Sequence, residues 1–65
     1  MKKAINQARA LAKRMTALED KAWHGEKLSE AEKLELDRLD MEVAEIAHKN
    51  HVNFYQLRVK CEEVA

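Results

Sequence analysis

The sequence predicts an all-α chain: an antiparallel helical hairpin followed by a short third helix. Three observations lead there. The 65 residues include no proline and one glycine, and 37% are charged, a composition suited to helix. Apolar residues recur at alternating spacings of four and three over long stretches. The single glycine, Gly25, is followed by Ser29 and then Glu32, a stop signal and a start signal in close succession.

The first helix is expected over about residues 2–24. Ala4, Ala8, Leu11, Met15, Leu18 and Ala22 form a heptad-like seam. Ile5 and Ala12 widen it into a bundle-type face. The alanines permit close approach of a neighbouring helix. Trp23, beside the seam at its far end, reads either as a lid over the loop, packed on Leu28 or Leu34, or as a protein-binding anchor.

Gly25 can take the left-handed conformation that closes a helix C-terminus. Ser29 is a good N-cap, and Glu32 stands three residues later, completing a capping box. Leu28 is placed to staple the new helix, through the Lys33 stem or Leu34. The second helix is then expected over about residues 30–49. Leu36, Leu39, Val43 and Ile46 form its seam, broadened by Leu34, Met41, Ala44 and Ala47.

The pattern changes at His48-Lys49-Asn50-His51-Val52-Asn53. A continuous helix with a stutter could absorb the change, but a break explains more. Asn53 is a favoured N-cap, Gln56 lies three residues on, and Val52 pairs with Leu57 in staple register. Asn50 or His51 could end the second helix in a left-handed turn. A third helix follows, over about 54–64, with Phe54, Leu57, Cys61 and Val64 continuing the apolar face.

One small domain, 1–65, is the expected organisation. A chain this short buries little surface, and helical chains without staples gain stability by association. A dimeric bundle is therefore expected. The lone Cys61 excludes an intrachain disulfide and reads as a small core residue. The basic N-terminal stretch has no uninterrupted apolar run after it, so neither a signal peptide nor a membrane span is expected. A reduced, cytoplasmic setting is the simplest reading.

The net charge is zero, yet unevenly spread. Lys2, Lys3, Arg9, Lys13 and Arg14 give residues 1–18 a charge of +5 with no acid. Residues 19–45 carry ten acids against Lys21, Lys27, Lys33 and Arg38, and residues 46–65 return to +1. Lysines at a helix N-terminus oppose its dipole, which suggests another role: pairing with an acidic helix, or contact with a phosphate backbone.

The run from Glu45 to Lys60 resembles the helix-turn-helix motif of DNA-binding regulators. Ile46 and Ala47 match the apolar-then-alanine pair of its first helix. Val52 and Asn53 match the turn, and Leu57 the buried position of the second helix. The resemblance implies that Asn53, Tyr55, Gln56, Arg58 and Lys60 face the groove, with Gln56 and Arg58 on base edges. It departs from the pattern at His51, where glycine is usual, at Asn50 in place of a large apolar residue, and at Lys60 in a core position. In architecture alone the chain is similar to the ROP-like helical hairpins, small plasmid proteins that pair into a four-helix bundle and bind RNA from their first helices. That similarity implies that Lys2, Lys3, Arg9, Lys13 and Arg14, doubled by a dimer axis, could meet phosphates.

Glu45-x-x-His48 has the spacing of a bundle metal motif. The facing part of the first helix offers Arg9 and Lys13 and no acid, so no metal is expected within one hairpin. No nucleophile has a histidine at helical spacing, and there is no glycine-rich phosphate loop. No catalytic residue, cofactor or small-molecule substrate is implied. Two classes remain. The first is a phage- or plasmid-like protein-binding regulator or assembly module, with Trp23, Phe54 and Tyr55 as candidate contacts. The second is a nucleic-acid binder using either the 45–60 junction or the basic face of the first helix.

Overall fold

A computed structural model describes residues 2–63. Three helices account for most of them: α1 (Lys2–Trp23), α2 (Glu30–Lys49) and α3 (Phe54–Glu63). Among the described residues there is no strand. The 34 Å long axis of the molecule matches the length of α1, about 33 Å at 1.5 Å per residue. Val64, expected on the apolar face of the third helix, lies outside the described residues.

Each boundary has a local cause. Gly25 takes φ 85°, and the N–H groups of Gly25 and Glu26 donate to the carbonyls of Ala22 (3.1 Å) and Lys21 (3.2 Å). That is a Schellman closure. Ser29 caps α2: its hydroxyl accepts from the Glu32 N–H (3.1 Å), and its own N–H donates to the Glu32 carboxylate (2.9 Å). α2 closes at the expected residue by the same device. Val52 N–H donates to Ala47 (2.9 Å) and His51 N–H to His48 (3.2 Å), with His51 at φ 56°. Asn53 then caps α3, its Oδ1 accepting from the N–H groups of Tyr55 (2.9 Å) and Gln56 (3.2 Å). The chain breaks at 50–53, so no stutter is needed.

α2 returns alongside α1, as the order of their cross-links shows: Lys21 with Glu32, Arg14 with Glu35, and Gln7 with Asn50. α3 lies against α1 as well, through Arg58 to Glu19 and Thr16. The core is Ala4, Ala8, Ala12, Met15 and Leu18 of α1, Leu39, Val43 and Ala47 of α2, and Leu57 and Cys61 of α3. Ile5, Leu11, Leu28, Leu36, Ile46, Val52 and Phe54 pack around it. Four of the ten core residues are alanines, so helices approach closely and bulk comes from Met15, Leu18, Val43 and Leu57.

The burial corrects several expectations. Ala22 is exposed, so the α1 seam ends at Leu18. Leu34, Met41 and Ala44 do not broaden the buried face of α2; they point to solvent. Leu28 packs on the core, whereas Leu34, one of the two partners expected for it, is 69% exposed. Trp23 is 87% exposed, which rules out the lid.

Candidate functional site

Two surfaces stand out once the core is assigned: apolar stripes on the outer sides of α2 and α3, and a basic region on α1.

Seven residues make just under two helical turns, so Leu34 and Met41 fall on one line along α2. That line lies across the helix from Leu39, Val43 and Ala47. Met41 is 72% exposed. A shallow depression beside the stripe is lined by Ala31, Leu34, Glu35 and Arg38. On α3, Tyr55 and Val59 stand one turn apart on the outer face, 76% and 52% exposed. With Gln56, Lys60 and Glu63 they line an open, mostly apolar groove. Phe54 differs from its neighbour: it is half-buried and packs on the core, edge-on to the Tyr55 ring with centroids 5.4 Å apart.

The five basic residues of residues 1–18 do not act as one face. Arg14 turns to α2 and makes a two-pronged pair with Glu35, both contacts at 2.9 Å. Lys2, Lys3 and Lys13 are exposed and form no ion pair among the described residues. Arg9 and Lys13 border a cleft of about 260 Å³ between α1 and α3, with Ala12, Thr16, Cys61 and Glu62. Cys61 is buried at its edge. Burial raises the thiol pKa, partly offset by the positive charges of Arg58 and Arg9.

The residues implied by the helix-turn-helix resemblance also separate. Asn53 uses its side chain as the α3 cap. Arg58 reaches back to α1, with Nη1 and Nη2 donating to Glu19 at 3.0 and 2.8 Å. Its hydrogen bonds hold the Glu19 carboxyl below the usual carboxylate range. The Arg58 Nε is buried without a hydrogen-bond partner among the described residues. Lys60 pairs with Glu63 at 3.2 Å. Tyr55 and Gln56 are exposed. The geometry thus gives Arg58 a structural partner and leaves Tyr55, Gln56 and Lys60 on the outer face.

Glu45 and His48 do not converge on a metal-type cluster; Glu45 pairs with Lys49 at 3.1 Å. Among the described residues no three His, Cys, Asp or Glu side chains come together as metal ligands. Nor is any helix, among those residues, long and apolar enough to cross a membrane. The periodicity of α2 contained a signal for its outer stripe, since Leu34 and Met41 share a heptad position away from Leu39 and Val43. The Arg58–Glu19 link had none, because nothing local relates residues 39 apart.

No protein-family model matches the chain, nor does any curated protein or solved structure. The functional reading rests on the surface alone.

Proposed function

We propose that this chain is a small non-enzymatic regulator or assembly module that acts by binding another protein through its helix faces. One observation carries the reading. Trp23, Leu34, Met41, Tyr55 and Val59 are each more than half exposed, while four of ten core positions hold only alanine. Bulky apolar side chains set outside a thin core mark interaction surfaces rather than packing. In this reading α1 and α2 act as an antiparallel hairpin, two copies associate as a dimeric bundle, and α3 presents Tyr55 and Val59 to the partner protein.

The test is affinity capture with the intact chain beside a Tyr55→Asp, Val59→Asp variant, with circular dichroism to verify the fold. A discrete partner retained by the first and lost by the second supports the proposal. Equal retention by both removes α3 as the docking face. The nucleic-acid reading draws on the exposed Lys2, Lys3 and Lys13 and on Gln56. It requires a labelled RNA or DNA to shift at low salt and to be released steeply as salt rises. Such a shift, with no protein captured, would replace the proposal.

A further inference from the structure

We infer that the outer stripe of α2 is the contact between two copies of this chain, and that the two α2 helices lie parallel across it. The inference rests on the dimeric module proposed above and names its face and geometry.

Charges are placed in opposition on the two sides of an apolar line. Leu34 and Met41 define the line. Asp37 and Arg38 flank it, about 50° to either side at 100° per residue. Both are exposed, and neither forms an ion pair among the described residues. Elsewhere on the helix Glu30 pairs with Lys33, Glu35 with Arg14 and Glu45 with Lys49, while Asp40 and Glu42, farther from the line, also form no ion pair among the described residues. Asp37 and Arg38 are therefore opposite charges beside an uncovered apolar stripe, with no ion-pair partner among the described residues.

Symmetry then selects the orientation. Identical copies meeting through one face are related by a twofold axis. An axis running along the helices makes them parallel and exchanges their flanks. Arg38 then faces Asp37 of the partner subunit, Asp37 faces Arg38 of the partner subunit, and Leu34 and Met41 each meet their own copies. An axis running across the helices makes them antiparallel and keeps each flank on its own side. With the apolar pair centred, Arg38 would face Arg38 of the partner subunit and Asp37 would face Asp37 of the partner subunit. Glu30 and Glu45, about 30° from the line, meet like charge in either arrangement, so the choice falls to Asp37 and Arg38, where two attractions against two repulsions favour the parallel pair. Ala31 and Ala44, farther round the helix on either side, add no bulk to keep the helices apart.

Sedimentation equilibrium from about 10 µM to about 1 mM covers the affinity range of such a small contact. The intact chain is expected to show a concentration-dependent dimer. Leu34→Glu, at an exposed position, should remain helical by circular dichroism and sediment as a monomer. Asp37→Arg should weaken the dimer at least tenfold, and adding Arg38→Asp should restore it. With Cys61→Ser to remove the native thiol, Leu34→Cys oxidised by diamide should cross-link to its own copy. A mixture of Leu34→Cys and Met41→Cys chains should yield few mixed dimers. A monomer throughout the concentration range, a dimer unaffected by Leu34→Glu, or mixed 34–41 cross-links in excess would each overturn the inference. Partner capture through Tyr55 and Val59 is scored separately, so failure of the dimer face and failure of the binding-module reading give different results.

Discussion

The two turns of this chain use the same hydrogen-bond closure and secure it in opposite ways. At the first, the left-handed residue is Gly25, and a Cβ built there would meet nothing within 4 Å. The residues that bracket it, Lys21 and Glu26, are charged. This turn stands in solvent and depends on local backbone preference, helped by the Ser29–Glu32 box and by Lys21 reaching the Glu32 carboxylate at 2.9 Å. At the second, the left-handed residue is His51, a conformation that costs an L-residue about 1–2 kcal/mol. Here the bracketing pair is Ala47 and Val52, both packed in or on the core. Asn50 adds side-chain bonds to the Ile46 carbonyl (2.8 Å) and to Gln7 of α1 (3.1 Å). The first turn is written in local sequence, whereas the second is held by what it packs against.

The largest test of that contrast removes the packing. Leu57, fully buried, anchors α3 to the core. Leu57→Ala should cost about 2–5 kcal/mol, read from urea unfolding. Amide exchange should show the protection of α3 and of the 50–53 turn falling first, with the 24–29 turn least affected. Uniform loss at both turns would break the comparison.

Next in size is Gly25→Ala. With open space around the new methyl group, the left-handed φ costs about 1–2 kcal/mol and the stiffer unfolded chain offsets part of it, for a net loss of about 0.5–1 kcal/mol. Thermal melts measure it directly. The reciprocal change, His51→Gly, relieves the strained φ but adds freedom to the unfolded chain, for a net gain of about 0.5–1 kcal/mol. A loss instead would mean that the His51 side chain contributes more than its backbone costs.

The smallest effect is a pH dependence; its part at the first turn separates the two turns, while Glu19 and Glu35, held low by Arg58 and Arg14, contribute elsewhere. The Glu32 carboxyl is pulled down to about 2, chiefly by the Ser29 N–H and then by Lys21. A group with a depressed folded pKa stabilises the native state above its unfolded pKa. That contribution is lost as pH falls from about 4.5 toward 2. NMR titration of the Glu32 carboxyl should show the low midpoint. Lys21→Met should raise it only in part, because the Ser29 N–H remains. A midpoint near 4.5 in the intact chain would remove the capping box as its cause.

How much was legible in the sequence follows the same division. Gly25, Ser29 and Glu32 act on backbone groups a few residues away, so their pattern placed the first turn and the start of α2 directly. Asn53 did the same for α3. The faces were harder. Periodicity shows that α2 has apolar residues on more than one side, but not which side meets α1. Leu34 and Met41 therefore joined the expected buried face. Trp23 looked like a lid because a large aromatic beside a turn has apolar neighbours in sequence, though here not in space. The docking of α3 on α1 through Arg58 is a tertiary event, as is the turn of Arg14 toward Glu35 while Lys2, Lys3 and Lys13 stay exposed.

Cys61 gives the chain a built-in gauge. It is 3% exposed where α3 lies on α1, at the edge of the cleft bordered by Arg9 and Lys13, so its alkylation should quicken whenever that helix lifts away. The labelling rate therefore reports how often the third helix opens, without any added probe. A ligand that grips the outer side of that helix and clamps it shut would announce itself as slower modification of a residue on the opposite side.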